Sequence, residues 1–291
     1  MWDVLREIGE LRIEREMRRG GISLPLPDQE IRVADNGGWQ LEFRARQAVE
    51  DWNEQISLLT GMAAAHLMTT HRVGLLRTLP EADPHAIERL RRTAHALGID
   101  WPAERSYPDF IRSLDPSSPR HVAMLVSSTT VLRGAGYMAF DGDLPEHPMH
   151  SALASTYTHC TAPLRRLVDR YTGELCVALC ADQAPPDWIL QALPGLPATM
   201  AAADRRAGHY ERAVIDLAES LVLARRVGER FTASIVDIDR RDPTQGTAML
   251  ADLAIEARVQ GDAPLPLGAK VEVELVEADP VHRRIAFRIV P

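Results

Sequence analysis

The stretch Tyr157-Thr158-His159-Cys160-Thr161-Ala162-Pro163-Leu164-Arg165-Arg166-Leu167-Val168-Asp169-Arg170 joins a polar turn, a proline and two adjacent cations to the start of an apolar, helix-spaced run. Pro163 fits the first turn of a helix, where a missing N–H is tolerated, and Thr161 just ahead of it fits an N-cap. The unpaired amides of such a turn favour an anion. Arg165 and Arg166 add guanidinium forks that can hold two phosphate oxygens at once. The spacing predicts a phosphate site at the mouth of a long helix; the same residues also read as a capped helix with two solvated arginines.

Downstream, the helix is expected to run to Cys180. Cys160, Cys176 and Cys180 form an odd set without a CxxC pair, which reads as buried free thiols rather than metal ligands. Pro185-Pro186 and Pro194-Gly195-Leu196-Pro197 interrupt the chain before two further helices, near 198–207 and 209–226. After Gly228 the pattern changes to short β-branched runs at 231–238, 247–250, 256–259, 270–276 and 283–289. Five strands at that spacing predict a small closed barrel of the OB type. Such barrels often hold single-stranded nucleic acid, although a fold alone does not assign a function.

Upstream, Val4, Leu5, Ile8 and Leu11 are spaced as one face of a helix over 3–19, ended by Gly20-Gly21. Runs at 31–33 and 39–43 flank Asp35-Asn36-Gly37-Gly38, a reversal signal that predicts a small hairpin. From Gln47 to about Thr70 a second helix is predicted, with Val49, Trp52, Ile56, Leu59, Ala63 and Leu67 as its buried face and Glu54 drawn toward the interior or left at the boundary. Asp83-Pro84 opens a third helix with a core stripe of Ile87, Leu90, Ala94 and Leu97, closed by Gly98. Arg89, Arg91 and Arg92 give it a basic, solvated face. Shorter helices are expected near 108–114 and 119–134, then a loop carrying Asp141, Asp143, Glu146 and His147 without a diagnostic metal spacing.

The 291 residues are 45% hydrophobic and 25% charged, an ordinary soluble composition. A formal net charge of -8 excludes a bulk positive field, so any phosphate must be held locally. No apolar run approaches the ~18 residues that span a bilayer, and the first residues lack the order of a secretory signal. The expected location is cytoplasmic, with no membrane partner.

Residues 157–169 resemble the signature of the RNase II (RNB) family of 3'-to-5' exoribonucleases, written HFTSPIRRYxD. His159, Thr161, Pro163, Arg165, Arg166 and Asp169 coincide with it, while Cys160, Ala162, Leu164 and Leu167 replace the aromatic, serine, isoleucine and tyrosine. The stretch from Val49 to Ser57 resembles the family helix that carries a glutamate, here Glu54, and Leu97-Gly98-Ile99 and the barrel after Gly228 follow in family order. The resemblance implies an α+β architecture: a mainly helical partial RNB catalytic domain with a small hairpin over 1–227, then a five-stranded OB-like RNA-binding barrel over 228–291. It implies hydrolysis of single-stranded RNA from the 3' end to nucleoside monophosphates with magnesium. Arg165 would face the scissile phosphate and Glu54 the terminal nucleotide, both as catalytic residues, with His159, Thr161, Arg166 and Tyr157 binding RNA.

The family's metal ligands lie in an upstream motif of the DxxxTxDIDDA type, which this sequence lacks. Asp237-Ile238-Asp239 resembles it only superficially, since it lies after the arginine motif and inside a barrel strand, so no residue here is assigned to metal. Three readings stay open. The chain works with an amino-terminal RNB half supplied separately or as part of a longer nuclease, or it is a nuclease-dead RNA-binding homologue, or it is a half domain without independent activity.

Overall fold

The computed structural model describes residues 2–26, 28–33, 39–44, 46–239, 241–250, 253 and 255–290. In chain order, α1 (Trp2–Arg19) precedes the strands β1 (Asp28–Val33) and β2 (Trp39–Arg44), which pair antiparallel. The predicted reversal at Asp35–Gly38 lies outside the described residues. Next come α2 (Ala48–Thr70), β3 (Val73–Thr78), α3 (Pro84–Ala96), α4 (Tyr107–Arg112) and α5 (Pro119–Ser128), which tightens into a 3-10 turn at Thr129–Leu132. Then β4 (Gly136–Asp141) and the two-residue strands β5 (Met149–His150) and β6 (Ser155–Thr156) lead into α6 (Leu167–Cys180), α7 (Asp187–Ala192) and α8 (Leu196–Leu223). The chain ends in β7 (Arg230–Ile238), β8 (Gln245–Leu250), β9 (Ile255–Gln260), β10 (Lys270–Asp279) and β11 (Arg284–Ile289). Among the described residues no helix is long and apolar enough to cross a membrane.

Contacts group the chain into two compact units: Met1–Ser23, Gln47–Asp83 and Leu132–Ala207, and Leu24–Arg46, Pro84–Val131 and Gly208–Pro291. In the first, α1 lies on α2, and β3 pairs antiparallel with β4 under a core of Met68, Leu75, Leu76, Phe140, Val168, Leu175 and Ile189. Sequence periodicity does not announce this β pair. Val73, Gly74, Leu75, Leu76 and Thr78 are all buried, so the strand reads as a short unbroken apolar run, which has no period to detect.

Three expected faces are corrected in this unit. α1 buries Gly9 and Glu16, and leaves Val4, Ile8 and Leu11 exposed. The reason is polar and steric: Glu16 accepts Gln55 Nε2–H at 2.6 Å and Ser23 Oγ–H at 2.9 Å, while Gly9 receives the Trp52 ring. α2 buries Gln55, Gly61, Ala64, Ala65 and Met68, with Leu59 and Ala63 exposed. That rotation takes Glu54 out to solvent, one position from the inward Gln55. The cysteines are free but not buried: Cys160 and Cys176 are half-buried and Cys180 is exposed.

In the second unit, β7 to β11 close a barrel in the order β7-β8-β9-β11-β10, with β11 parallel to β9 and every other pair antiparallel. This is the five-stranded Greek-key barrel expected of an OB fold. Its core of Phe231, Ile235, Ala248, Ile255, Val259, Val273, Leu275 and Phe287 is extended by Leu41 of the hairpin and by Ala218 and Leu223 of α8. β7 bends at a bulge between Ile235 and Asp237, where Gly246 lets the backbone carbonyl of Asp237 approach so closely that a Cβ has no room. α8 is one continuous 28-residue helix where two were expected. Gly208 sits inside it, because a single glycine lowers helix propensity by only about 1 kcal/mol and does not stop a well-packed helix.

Candidate functional site

The motif enters the site as an extended segment clamped on both sides. The Tyr157 carbonyl accepts Arg77 N–H of β3 at 2.8 Å, the Thr158 hydroxyl donates to the Leu75 carbonyl at 2.7 Å, and Thr158 N–H reaches the Gly61 carbonyl of α2 at 3.3 Å. Gly61 is required there: any Cβ on it meets the Tyr157 ring and the Thr158 carbonyl. On the other flank, Thr172 of α6 donates its hydroxyl to the His159 carbonyl at 2.7 Å. Thr158 and Thr172 are both fully buried, so these bonds are shielded from water.

The arginine turn differs from its expected form. The helix begins at Leu167, not near Pro163, and Thr161 is exposed and caps nothing. Residues 161–166 form a tight turn in which the Ala162 carbonyl accepts both Arg165 N–H (3.2 Å) and Arg166 N–H (3.0 Å). The anion that the turn attracts is internal. Asp169, 1% exposed in the first turn of α6, accepts Ala162 N–H at 2.7 Å and the Arg166 guanidinium at 2.8 and 2.9 Å. Arg166 is thereby committed to a bidentate pair. Arg165 is exposed, and no described residue pairs with its guanidinium.

Above the turn, rings accumulate. Tyr157 lies edge-on to His159 with centroids 5.4 Å apart and to His150 at 6.1 Å, and the Tyr137 hydroxyl meets His159 Nδ1 at 2.6 Å. Tyr137 stands opposite Arg77 in the β3–β4 pair, and the Arg77 guanidinium lies 4.6 Å from its ring centre and 3.7 Å from Asp204. Burial, with the positive fields of Arg166 and Arg77, pushes the His159 pKa down to about 4. Burial and then Arg77 push His150 down to about 4, and burial pushes the Tyr157 phenol up to about 12. All three rings are neutral at physiological pH. Arg77 and Tyr137 went unnoticed in the sequence because β3 and β4 did, and the register of that pair joins them.

The structure thus brings Tyr157, His159, Arg166 and Asp169 together, with Arg165 and Thr161 on the exposed side of the turn. Glu54 lies exposed on α2, seven residues and about two helical turns before Gly61. Half-buried Cys160 and Cys176 join exposed Cys180 and His66 along an apolar cleft of about 610 Å³ between α2 and α6. Burial raises the Cys176 thiol to about 11 and raises Cys160 as well, so neither is a thiolate near neutrality. Among the described residues no three His, Cys, Asp or Glu side chains converge. The described residues are accordingly assigned no role in holding the magnesium that the resemblance implies.

Residues 229–290 match the family model of the RNase II-type exonuclease C-terminal S1 domain. The sequence matches no curated protein. The chain superposes on RNase R of Mycoplasma genitalium in complex with ribose-methylated single-stranded RNA with a TM-score of 0.84 at 17% identity, over 99% of this chain and 49% of that one. It superposes on the Dss1 exoribonuclease of Candida glabrata with a TM-score of 0.74 at 11% identity, over 99% and 35% of the two chains. Yeast Ssd1, a pseudonuclease, gives 0.62 at 16% identity, over 94% and 34%. The chain spans about half the length of the RNase R that it matches. Its fold is similar to that of about half of RNase R. The barrel, which matches the family by sequence, is similar to that family's terminal S1 domain.

Proposed function

We propose that this chain is the RNA-holding, phosphate-facing part of an RNase II-type exoribonuclease that degrades single-stranded RNA from the 3' end to nucleoside monophosphates. The observation that carries the reading is Arg165, an exposed cation without a partner among the described residues, on a turn that the Asp169–Arg166 pair holds rigid. In this role Arg165 faces the scissile phosphate and stabilises the charge that develops on it. Glu54 hydrogen-bonds near the terminal nucleotide. Tyr157, His159, Thr161 and Arg166 line the RNA path, and the barrel over 228–291 is a separate domain that grips the strand upstream. A protein similar in fold supports RNA as the partner: RNase R of Mycoplasma genitalium has structures in complex with ribose-methylated single-stranded RNA and with double-stranded RNA. The aspartates for magnesium come from an amino-terminal RNB half, in the same polypeptide or a separate one.

The test is decay of labelled oligoadenylate in magnesium, with and without an aspartate-bearing RNB half. Decay is expected only when both are present, and Arg165→Ala is expected to lower kcat by about 10²–10³. Sustained decay by this chain alone, or full activity in R165A, would falsify the reading. One observation favours a second reading, a nuclease-dead RNA-binding module: Ssd1, of the same fold, is a pseudonuclease. Under it, single-stranded RNA binds with a steep salt dependence and no added half restores decay.

A further inference from the structure

The 2.6 Å contact between the Tyr137 hydroxyl and His159 Nδ1 is shorter than a usual N–H···O bond of about 2.9 Å. It suits a phenolic O–H donating to an unprotonated ring nitrogen. Tyr137 is buried, and its hydroxyl has no other partner among the described residues. Were Nδ1 to carry the proton, the phenol hydrogen would be a buried donor without an acceptor. Arg77 fixes the phenol from behind through its stacked guanidinium, itself anchored by Asp204. His159 Nε2 bonds to nothing among the described residues.

We propose that Tyr137 is a positioning residue: by donating to Nδ1 it fixes His159 as the neutral Nε2–H tautomer, a hydrogen-bond donor for an oxygen of bound single-stranded RNA. The inference rests on the reading above that His159 contacts RNA. The titratable and charged groups around the ring are Arg77 on β3, Tyr137 on β4, His150 on β5, Tyr157 in the motif segment, and Arg166 and Asp169 at the start of α6. Burial and the two arginines oppose a proton on the ring, and Asp169 does not outweigh them. The donor is therefore a neutral N–H between about pH 5 and 8 and not a titrating cation, so its hold on RNA is flat with pH in that range.

The experiment has two arms on the full chain. Multiple-bond proton–nitrogen spectra of labelled histidine report the tautomer, and filter binding of oligoadenylate reports the contact. The expected result is Nε2–H at His159 from pH 5.5 to 8, a mixture of tautomers in Tyr137→Phe, and binding about threefold to tenfold weaker in Y137F and in His159→Ala, with no further loss in the double variant. His159→Gln, whose amide offers a donor near the Nε2 position, should recover binding relative to H159A. An Nδ1–H tautomer in the unaltered chain overturns the proposal, as does undiminished binding by Y137F. If Y137F fails to fold, the tautomer of the unaltered chain and the difference between H159Q and H159A decide. An unaltered chain that binds no single-stranded RNA overturns both readings, whereas normal binding with an unaffected Y137F overturns this one alone.

Discussion

Asp169 accepts hydrogen bonds from three nitrogens, Ala162 N and Arg166 Nε and Nη2, on a carboxylate that water barely reaches, which is the condition for keeping a charge in a protein interior. Removing one member of such a pair leaves the other uncompensated. Asp169→Asn is therefore expected to cost about 3 kcal/mol in urea unfolding, while Arg165→Ala, with no partner among the described residues, stays within about 0.5 kcal/mol. The two outcomes separate the structural arginine from the exposed one. His150 and His159 make a second residue-scale prediction. Their folded pKa values of about 4 lie below the ordinary 6.5, so the unfolded chain takes up protons first as the pH falls. Stability is complete above about 6.5 and is lost toward 4. The melting temperature should fall across that window, and the slope should lessen in a His150→Asn, His159→Gln double variant.

At the scale of elements, α2 and the motif segment meet without a side chain between them. Gly61→Ala places a methyl against the Tyr157 ring and against a backbone carbonyl that cannot rotate away. The expected cost is about 1–3 kcal/mol, together with lost protection of the Thr158 amide in hydrogen exchange, since that amide bonds to the Gly61 carbonyl. Gly208→Ala in α8 serves as the control: it meets nothing, lies in regular helix, and should stabilise by about 0.5–1 kcal/mol. α1 teaches a related lesson. Its apolar stripe is legible in the sequence, yet the helix docks through Gly9 and Glu16, because a buried carboxylate satisfied by Gln55 and Ser23 fixes its rotation more strongly than an amphipathic pattern does.

For the whole molecule, the barrel's own strands start at Arg230, but its core does not end with them. Leu41, Ala218 and Leu223 pack on it from the hairpin and from α8. A fragment of residues 208–291 should consequently be more stable than one of residues 228–291, by about 2 kcal/mol for a buried leucine and alanine, measured by urea titration at equal concentration. Equal stability would show that α8 adds nothing to the barrel.

How much was legible varies with the range of the interactions. The five barrel strands, the three long amino-terminal segments and the arginine motif could be read in the sequence because their signals are local: alternation, helical spacing, and turn residues at fixed offsets. The β3–β4 pair, the start of α6 and the company of His159 could not. Arg77, Tyr137 and His159 are far apart along the chain and meet only through strand register, and Thr161 loses its capping role to an aspartate eight residues away. The sequence by itself determined the barrel, the helical body and the positions of the two arginines. Only the tertiary structure decided that Arg166 is spent on Asp169 while Arg165 stays exposed, because that choice depends on which carboxylate is buried beside which cation, and burial is a property of the packed chain.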